Sequence, residues 1–189
     1  MSKIYTIGSS IHTVSAFISL LYRYKINAIA DVRSVPYSQH TPQFNKDALK
    51  DNLKESNICY LDFSNEFGAK RTEKEAYTDN CVDFSKVMNL PIFLGGIDRI
   101  NTGISKGYNV ALLCTEKDPL DCHRFSLVSR AIIEKLHIDV YHILFNGDIL
   151  NHQELEKMML RIFNLDSSLL NDELECAYRK INKKIAFQN

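Results

Sequence analysis

Short apolar runs alternating with helix-periodic segments constrain this chain more than any other feature of its sequence. The clearest run, Asn109-Val110-Ala111-Leu112-Leu113-Cys114, is apolar at consecutive positions rather than at every second one. A strand wet on one face alternates, so an unbroken run implies burial on both faces, as in a parallel sheet covered by helices. Lys3–Gly8, closed by Ser9-Ser10, and Ala28-Ile29-Ala30-Asp31-Val32 repeat the pattern. Cys59-Tyr60-Leu61 is a weaker version, and residues 140–145, closed by Asn146-Gly147, form the last strand. Between these runs, Phe17, Leu20, Leu21 and Tyr24 follow the candidate cap Thr13 at helical spacing. Leu49 and Leu53 do the same in 46–56, as do Val128, Ile132, Ile133 and Leu136 in 126–136. Helical patterns also cover 79–88 and 93–105, while the polar stretch 64–76 reads as a long loop. The expected fold is therefore α/β and Rossmann-like: three αβα layers around a mostly parallel sheet of about five strands.

Asn151 and Glu154 are spaced as a capping box, with Leu155, Met158, Met159 and Ile162 as the buried stripe of the helix behind it. Leu170, Leu174, Ala177, Tyr178, Ile181 and Ile185 mark a further amphipathic helix, with Lys183 and Lys184 near its end. The chain is expected to divide into an α/β domain over 1–165 and a helical extension over 166–189 packed on it. A partner or dimer helix is the alternative use of that extension, and the pattern fixes no oligomeric state.

Composition narrows the function. The 189 residues suit one domain, and 23 basic residues balance 23 acidic ones. A global electrostatic grip on nucleic acid is thus disfavoured, though a local patch is not excluded. Five cysteines without closely spaced pairs, and a start with no basic-then-apolar leader, point to the reducing cytoplasm. No apolar run approaches the ~20 residues a membrane span needs.

Polar loops follow two of the strands. The first is Asp31-Val32-Arg33-Ser34 and onward through Pro36, Ser38, His40 and Pro42 to Asn45. A carboxylate and a guanidinium at a strand end suit a hydroxylated or anionic ligand, with Ser34 and Ser38 as further donors. The alternative is an Asp31–Arg33 pair that only organises a proline-rich loop. The second loop is Cys114-Thr115-Glu116-Lys117-Asp118-Pro119-Leu120-Asp121-Cys122-His123-Arg124. Asp121 is the natural cap of the helix it enters. A thiol beside His123 at such an N-terminus has a lowered pKa, and Arg124 with nearby N–H groups can hold an anion. The alternative for Cys114 is a small buried hydrophobe. Cys114, Cys122 and His123, with Glu116, would be the ligands of a metal, but they lack the close cysteine pair of structural zinc. No metal is therefore expected, and no cofactor is named by these residues.

Gly8, the Asp-Val-Arg-Ser…Pro…Pro-Gln-Phe-Asn run at 31–45 and the Cys-Thr-Glu-Lys-Asp-Pro-Leu-Asp-Cys-His-Arg run at 114–124 resemble domain-of-unknown-function family 488. The resemblance covers residues 3–147 and implies a compact α/β domain without an agreed activity. Family members place a histidine after the first-strand glycine, where this chain has Ser9, and basic residues where it has Gln39 and His40. Cysteine phosphatases and rhodanese-type sulfurtransferases are similar only in architecture, for nine residues separate Cys114 from Arg124 here.

The expected site lies at the carboxyl edge of the sheet. Arg33 and Arg124, with Ser9, Ser34 and Ser38, would bind a small polar or nucleotide-like anion. Asp31, Glu116 and His123 would carry protons, and Cys114 or Cys122 would be the nucleophile. The alternative is a non-catalytic ligand- or nucleic-acid-binding module using the same loops with Lys70, Arg71 and Lys117.

Overall fold

The computed structural model describes residues 3–9, 12–165 and 170–188. In chain order the strands are β1 (Lys3–Gly8), β2 (Ala28–Asp31), β3 (Cys59–Asp62), β4 (Tyr77–Thr78), β5 (Cys81–Val82), β6 (Val110–Cys114), β7 (Asp139–Ile143) and β8 (Ile149–Asn151). The helices are α1 (Val14–Arg23), α2 (Lys46–Glu55), α3 (Ser64–Phe67), α4 (Phe84–Val87), α5 (Pro91–Ser105), α6 (Arg130–Leu136), α7 (His152–Ile162) and α8 (Leu170–Ile185). The central sheet has six strands in the order β3-β2-β6-β1-β7-β8. All pairs are parallel except β7 with β8.

Strand alternation sorts the core into two layers. In register across the sheet, Tyr60, Ile29, Ala111, Tyr5 and Tyr141 form one row. That face packs Phe17 and Leu21 of α1 and Leu49 and Leu53 of α2. The other face, with Ala28, Ala30, Val110, Leu112, Ile4 and Val140, packs Phe93, Ile97 and Ile100 of α5 and Ala131 and Ile132 of α6. Both faces are covered, which is why the central strands read as unbroken apolar runs.

The crossovers position the site. β1 leads through α1 on one face to β2, whereas β6 leads through α6 on the other face to β7. Neighbouring strands whose connections leave toward opposite faces open a crevice beyond their carboxyl ends. Gly8 and Cys114 are register partners at that point, with Asp31 ending the strand on the far side of β6.

Several local expectations need correction. Residues 79–88 do not form one helix. Asp79 and Asn80, both left-handed (φ 49° and 60°), make the two-residue turn of the β4–β5 hairpin. Only α4 follows, with Asp83 accepting from the N–H groups of Ser85 and Lys86. The stretch 64–76 holds α3 and a single 3-10 turn, stitched by buried Arg71, which pairs with Glu73 and donates to the carbonyl of Asn65. Strand β7 is not the last, since the Asn146-Gly147 turn carries the chain back into β8. On α7, Leu155 and Met159 are buried, but Met158 and Ile162 are exposed. The capping box is present, with Asn151 and Glu154 each accepting from the other's backbone N–H.

Helix α8 packs Ala177, Tyr178 and Ile181 against Leu155 and Met159 of α7 and against Leu120 and Phe125 of the second site loop. The side chain expected of Leu170 on this stripe lies outside the described residues. Among the described residues no helix is long and apolar enough to cross a membrane.

Candidate active site

The site grows from the end of β6. Ser9 donates its N–H and its hydroxyl to the carbonyl of Cys114, at 3.0 and 3.4 Å. The next turn folds back over β1 so closely that Glu116 O lies where a Cβ on Gly8 would be. Glycine is required there by contact, not by backbone angle. Arg124, with no exposed surface, holds the same turn by donating Nη1 to Glu116 O (2.7 Å) and Nη2 to Lys117 O (3.3 Å).

Asp118, not Asp121, supplies the cap in this loop, accepting from Leu120 N at 2.8 Å over the 3-10 turn Pro119–Asp121. Asp121 instead pairs with Lys184 of α8 at 2.5 Å. Cys122 is extended (φ −138°, ψ 138°), and the helix expected over 126–136 starts earlier, as a π-helix over Arg124–Ser129. Such widened turns are uncommon and recur at functional sites. Ser129 stabilises this one by donating to Arg124 O at 2.6 Å.

This path brings four reactive groups together. Glu116 Oε2 lies 2.9 Å from both Cys114 Sγ and Cys122 Sγ. His123 Nδ1 lies 3.7 Å from the first sulfur and 4.0 Å from the second. The other ring nitrogen, Nε2, donates to Val32 O at 2.9 Å. A carbonyl only accepts, so the neutral ring carries its proton on Nε2 and turns the Nδ1 lone pair to the sulfurs. Val32 follows β2, so this bond also ties the first loop to the second.

Mutual contact separates the proton affinities. Burial pushes the Cys114 thiol well up, and the neighbouring Cys122 and Glu116 add to the rise. Burial acts on Cys122 in the same sense, but the hydrogen bond from Cys114 and the charges of Arg124 and His123 outweigh it and hold this thiol well below its ordinary range. Burial opposes the charge on His123, yet Cys122 and the Val32 carbonyl raise its pKa overall. Burial, then the negative charge at Cys122, pushes the Glu116 carboxyl up. The resulting cluster has Cys122 as its preferred anion and Cys114 as a retained thiol.

These groups floor an open cleft of 640 Å³ that both loops share, with Arg33 and Ser34 from the first and Thr115 and Glu116 from the second. Lys70 stands on its wall, and the C-terminal residues Ile185, Ala186, Phe187 and Gln188 roof it. Val82 N–H donating to Phe187 O at 3.0 Å anchors that roof. A second cavity, of 320 Å³, lies between the β4–β5 hairpin and α8. Two of its charged residues are already engaged: Asp83 caps α4 and Arg130 pairs with Glu134 and Glu175.

The remaining sequence candidates divide by their partners. Asp31 is saturated: it accepts from Arg33 Nε (2.8 Å), Arg33 Nη2 (2.6 Å) and Tyr60 OH (2.8 Å). That leaves it orienting Arg33, whose Nη1 is fixed on Phe44 O at 2.8 Å. Ser34 Oγ accepts from Lys70 N at 2.9 Å and so positions Lys70. Ser38 does not line the cleft; its oxygen accepts from His40 N and its N–H donates to Asn45 within the first loop. Arg124 likewise turns to backbone carbonyls and not to the cleft. Nothing in the residue pattern pointed to the C-terminal roof. For Lys70 the one signal was its place in a basic pair with Arg71.

No curated protein and no solved structure matches the chain. Residues 13–131, which hold both loops and the four-group cluster but neither α7 nor α8, match the family described as "Domain of unknown function DUF488", and the chain belongs to that family.

Proposed function

We propose that the protein is an enzyme acting on a small, nucleotide-like anionic ligand in the cleft at the carboxyl edge of the sheet. One observation carries this reading: two thiols, an imidazole and a carboxylate are packed together on the floor of an open cleft. Burying ionisable groups side by side is costly, and a core without chemical duties would use apolar side chains there. Strongly divergent proton affinities among groups facing a cleft are the usual mark of a reaction site.

The roles follow from contacts. Lys70 and the Arg33 edge offer positive charge for the anion, held in place by Ser34 and Asp31. Glu116, raised in pKa and at the cleft surface, is the proton carrier. Cys122 supplies the anionic sulfur, and Arg124, Ser9 and Gly8 keep the turn that presents Glu116. The binding-module alternative loses one of its cations: Arg71 is buried against Glu73.

A thermal-shift screen of inorganic phosphate, sugar phosphates and nucleotides tests the proposal. At least one class should raise the melting temperature, consistent with ~2.7 kcal/mol at a hundredfold excess over Kd. The shift should shrink in Lys70→Ala, and product analysis should show the ligand consumed. Salt-sensitive oligonucleotide binding with nothing consumed would overturn it.

A further inference from the structure

We infer that Cys114, Cys122 and His123 bind a single divalent transition-metal ion, zinc by the chemistry of the donors, with a fourth, exchangeable corner beside Glu116. The inference builds on the same cluster as the proposed enzyme and adds the class of its cofactor.

Geometry is the first argument. With zinc–sulfur bonds of ~2.3 Å and zinc–nitrogen bonds of ~2.0 Å, tetrahedral ligands sit roughly 3.5–3.8 Å apart. His123 Nδ1 is 3.7 and 4.0 Å from the sulfurs of Cys114 and Cys122, and all three ligand atoms lie within 4.8 Å of one another. Both sulfur–nitrogen edges already approach those of an assembled site.

The imidazole is the second argument. A metal-ligating histidine needs a lone pair on one nitrogen and normally donates the other N–H to a carbonyl or carboxylate, which fixes its tautomer. His123 meets both conditions, with Nε2 on Val32 O at 2.9 Å and Nδ1 toward the sulfurs.

Charge and softness make the third. Two thiolates and a neutral imidazole exactly offset a dication, and thiolate with imidazole selects zinc over harder cations such as magnesium or calcium. Without a cation, Glu116 Oε2 is only 2.9 Å from each sulfur, closer than an oxygen and a sulfur sharing one zinc. A cation entering there pushes the carboxylate toward the cleft and leaves the fourth corner to water. Three protein ligands and one exchangeable position make a catalytic site, not a closed structural one.

The sequence argued against a metal because seven residues separate Cys114 from Cys122. Folding removes that objection: the 3-10 turn and the extended Cys122 bring the second sulfur back beside the first. Binding displaces the protons the cluster holds, so it should be tighter at higher pH.

The test uses the full-length protein, stripped with chelator under reducing conditions and titrated with cobalt(II), then with zinc. One equivalent of cobalt should give sulfur-to-metal charge-transfer absorption and the strong visible bands of a tetrahedral site, and zinc should displace it. Cys114→Ser, Cys122→Ser and His123→Ala should each lose stoichiometric binding, whereas Cys59→Ser and Cys176→Ser should keep it. A wild-type protein without the charge-transfer band overturns the inference, whatever the folding of the variants. So does a band that survives in Cys114→Ser and Cys122→Ser. Lys70-dependent ligand binding and turnover by metal-free protein would leave the proposed enzyme standing while the metal falls. A metal bound without turnover of any ligand would do the reverse.

Discussion

A guanidinium with no exposed surface and two backbone carbonyls for partners is costly to remove, and Arg124 is in that position. Its place beside Cys122 and His123 makes it look like a ligand clamp in the sequence, because a residue type does not reveal which oxygen it faces. Arg124→Ala should leave the part-buried Glu116 O without its donor and destabilise by about 1–3 kcal/mol. Chemical denaturation should show that loss, and the cleft should lose ligand affinity with it because the Glu116 turn is no longer held. Wild-type stability in this variant would return Arg124 to the ligand-binding candidates. Asp31 and Arg33 illustrate the same limit. The pair was legible as two polar residues at a strand end, but their saturation by one another, by Tyr60 and by Phe44 O depends on contacts made across the fold.

At the scale of elements, legibility followed burial. Runs such as Val110–Cys114 could be read because both faces are covered, and α1 because Thr13 caps it by accepting from Ala16 N. The β4–β5 hairpin could not, since its turn depends on Asp79 and Asn80 tolerating left-handed backbone that the sequence does not demand of them. Nor could the polar chain that joins β1, β7, α7 and α8. There Thr6 bonds His142 Nδ1 (2.9 Å), His142 Nε2 bonds His152 Nδ1 (3.1 Å), His152 Nε2 bonds Tyr178 OH (2.8 Å), and Tyr178 donates to Glu156 (2.7 Å). One direction of donation satisfies every member with both rings neutral. Burial, then the charge of Arg130, lowers His152 to about 3. Burial, then His152 and Arg124, holds His142 well below its ordinary value. Folded pKa values below the unfolded ~6.5 mean stability that is complete above that pH and lost as pH falls from there toward the folded value. Between pH 6.5 and 5, His152 alone should account for about 2 kcal/mol. Glu156, pushed up by burial, acts in the opposite sense, from its raised folded value down to the ordinary 4.5. Urea midpoints at pH 7.5 and 5 should therefore differ more in the wild type than in His152→Gln. Equal differences would show that the histidine relay does not set the acid sensitivity.

For the whole molecule, an α/β sheet with a cleft shared by the two loops at its carboxyl edge was legible, whereas strand order was not. Whether β6 inserts between β2 and β1, and which way each crossover turns, are long-range choices with no local signature. The roof over the cleft is of the same kind. It comes from residues 185–188, beyond the family match, and reaches the site only because α8 packs on Leu120 and Phe125. A cleft built beyond the ends of β2 and β6 and lined by the C-terminal residues supports the central claim that Glu116 moves protons for a bound anion. The most direct measurement is a comparison of wild type and Glu116→Gln, with binding and turnover of the screened ligand measured on the same samples. Binding should stay within a few-fold, while turnover falls by roughly 10²–10⁴-fold, the usual contribution of a positioned acid or base. Undiminished turnover in Glu116→Gln would contradict the account.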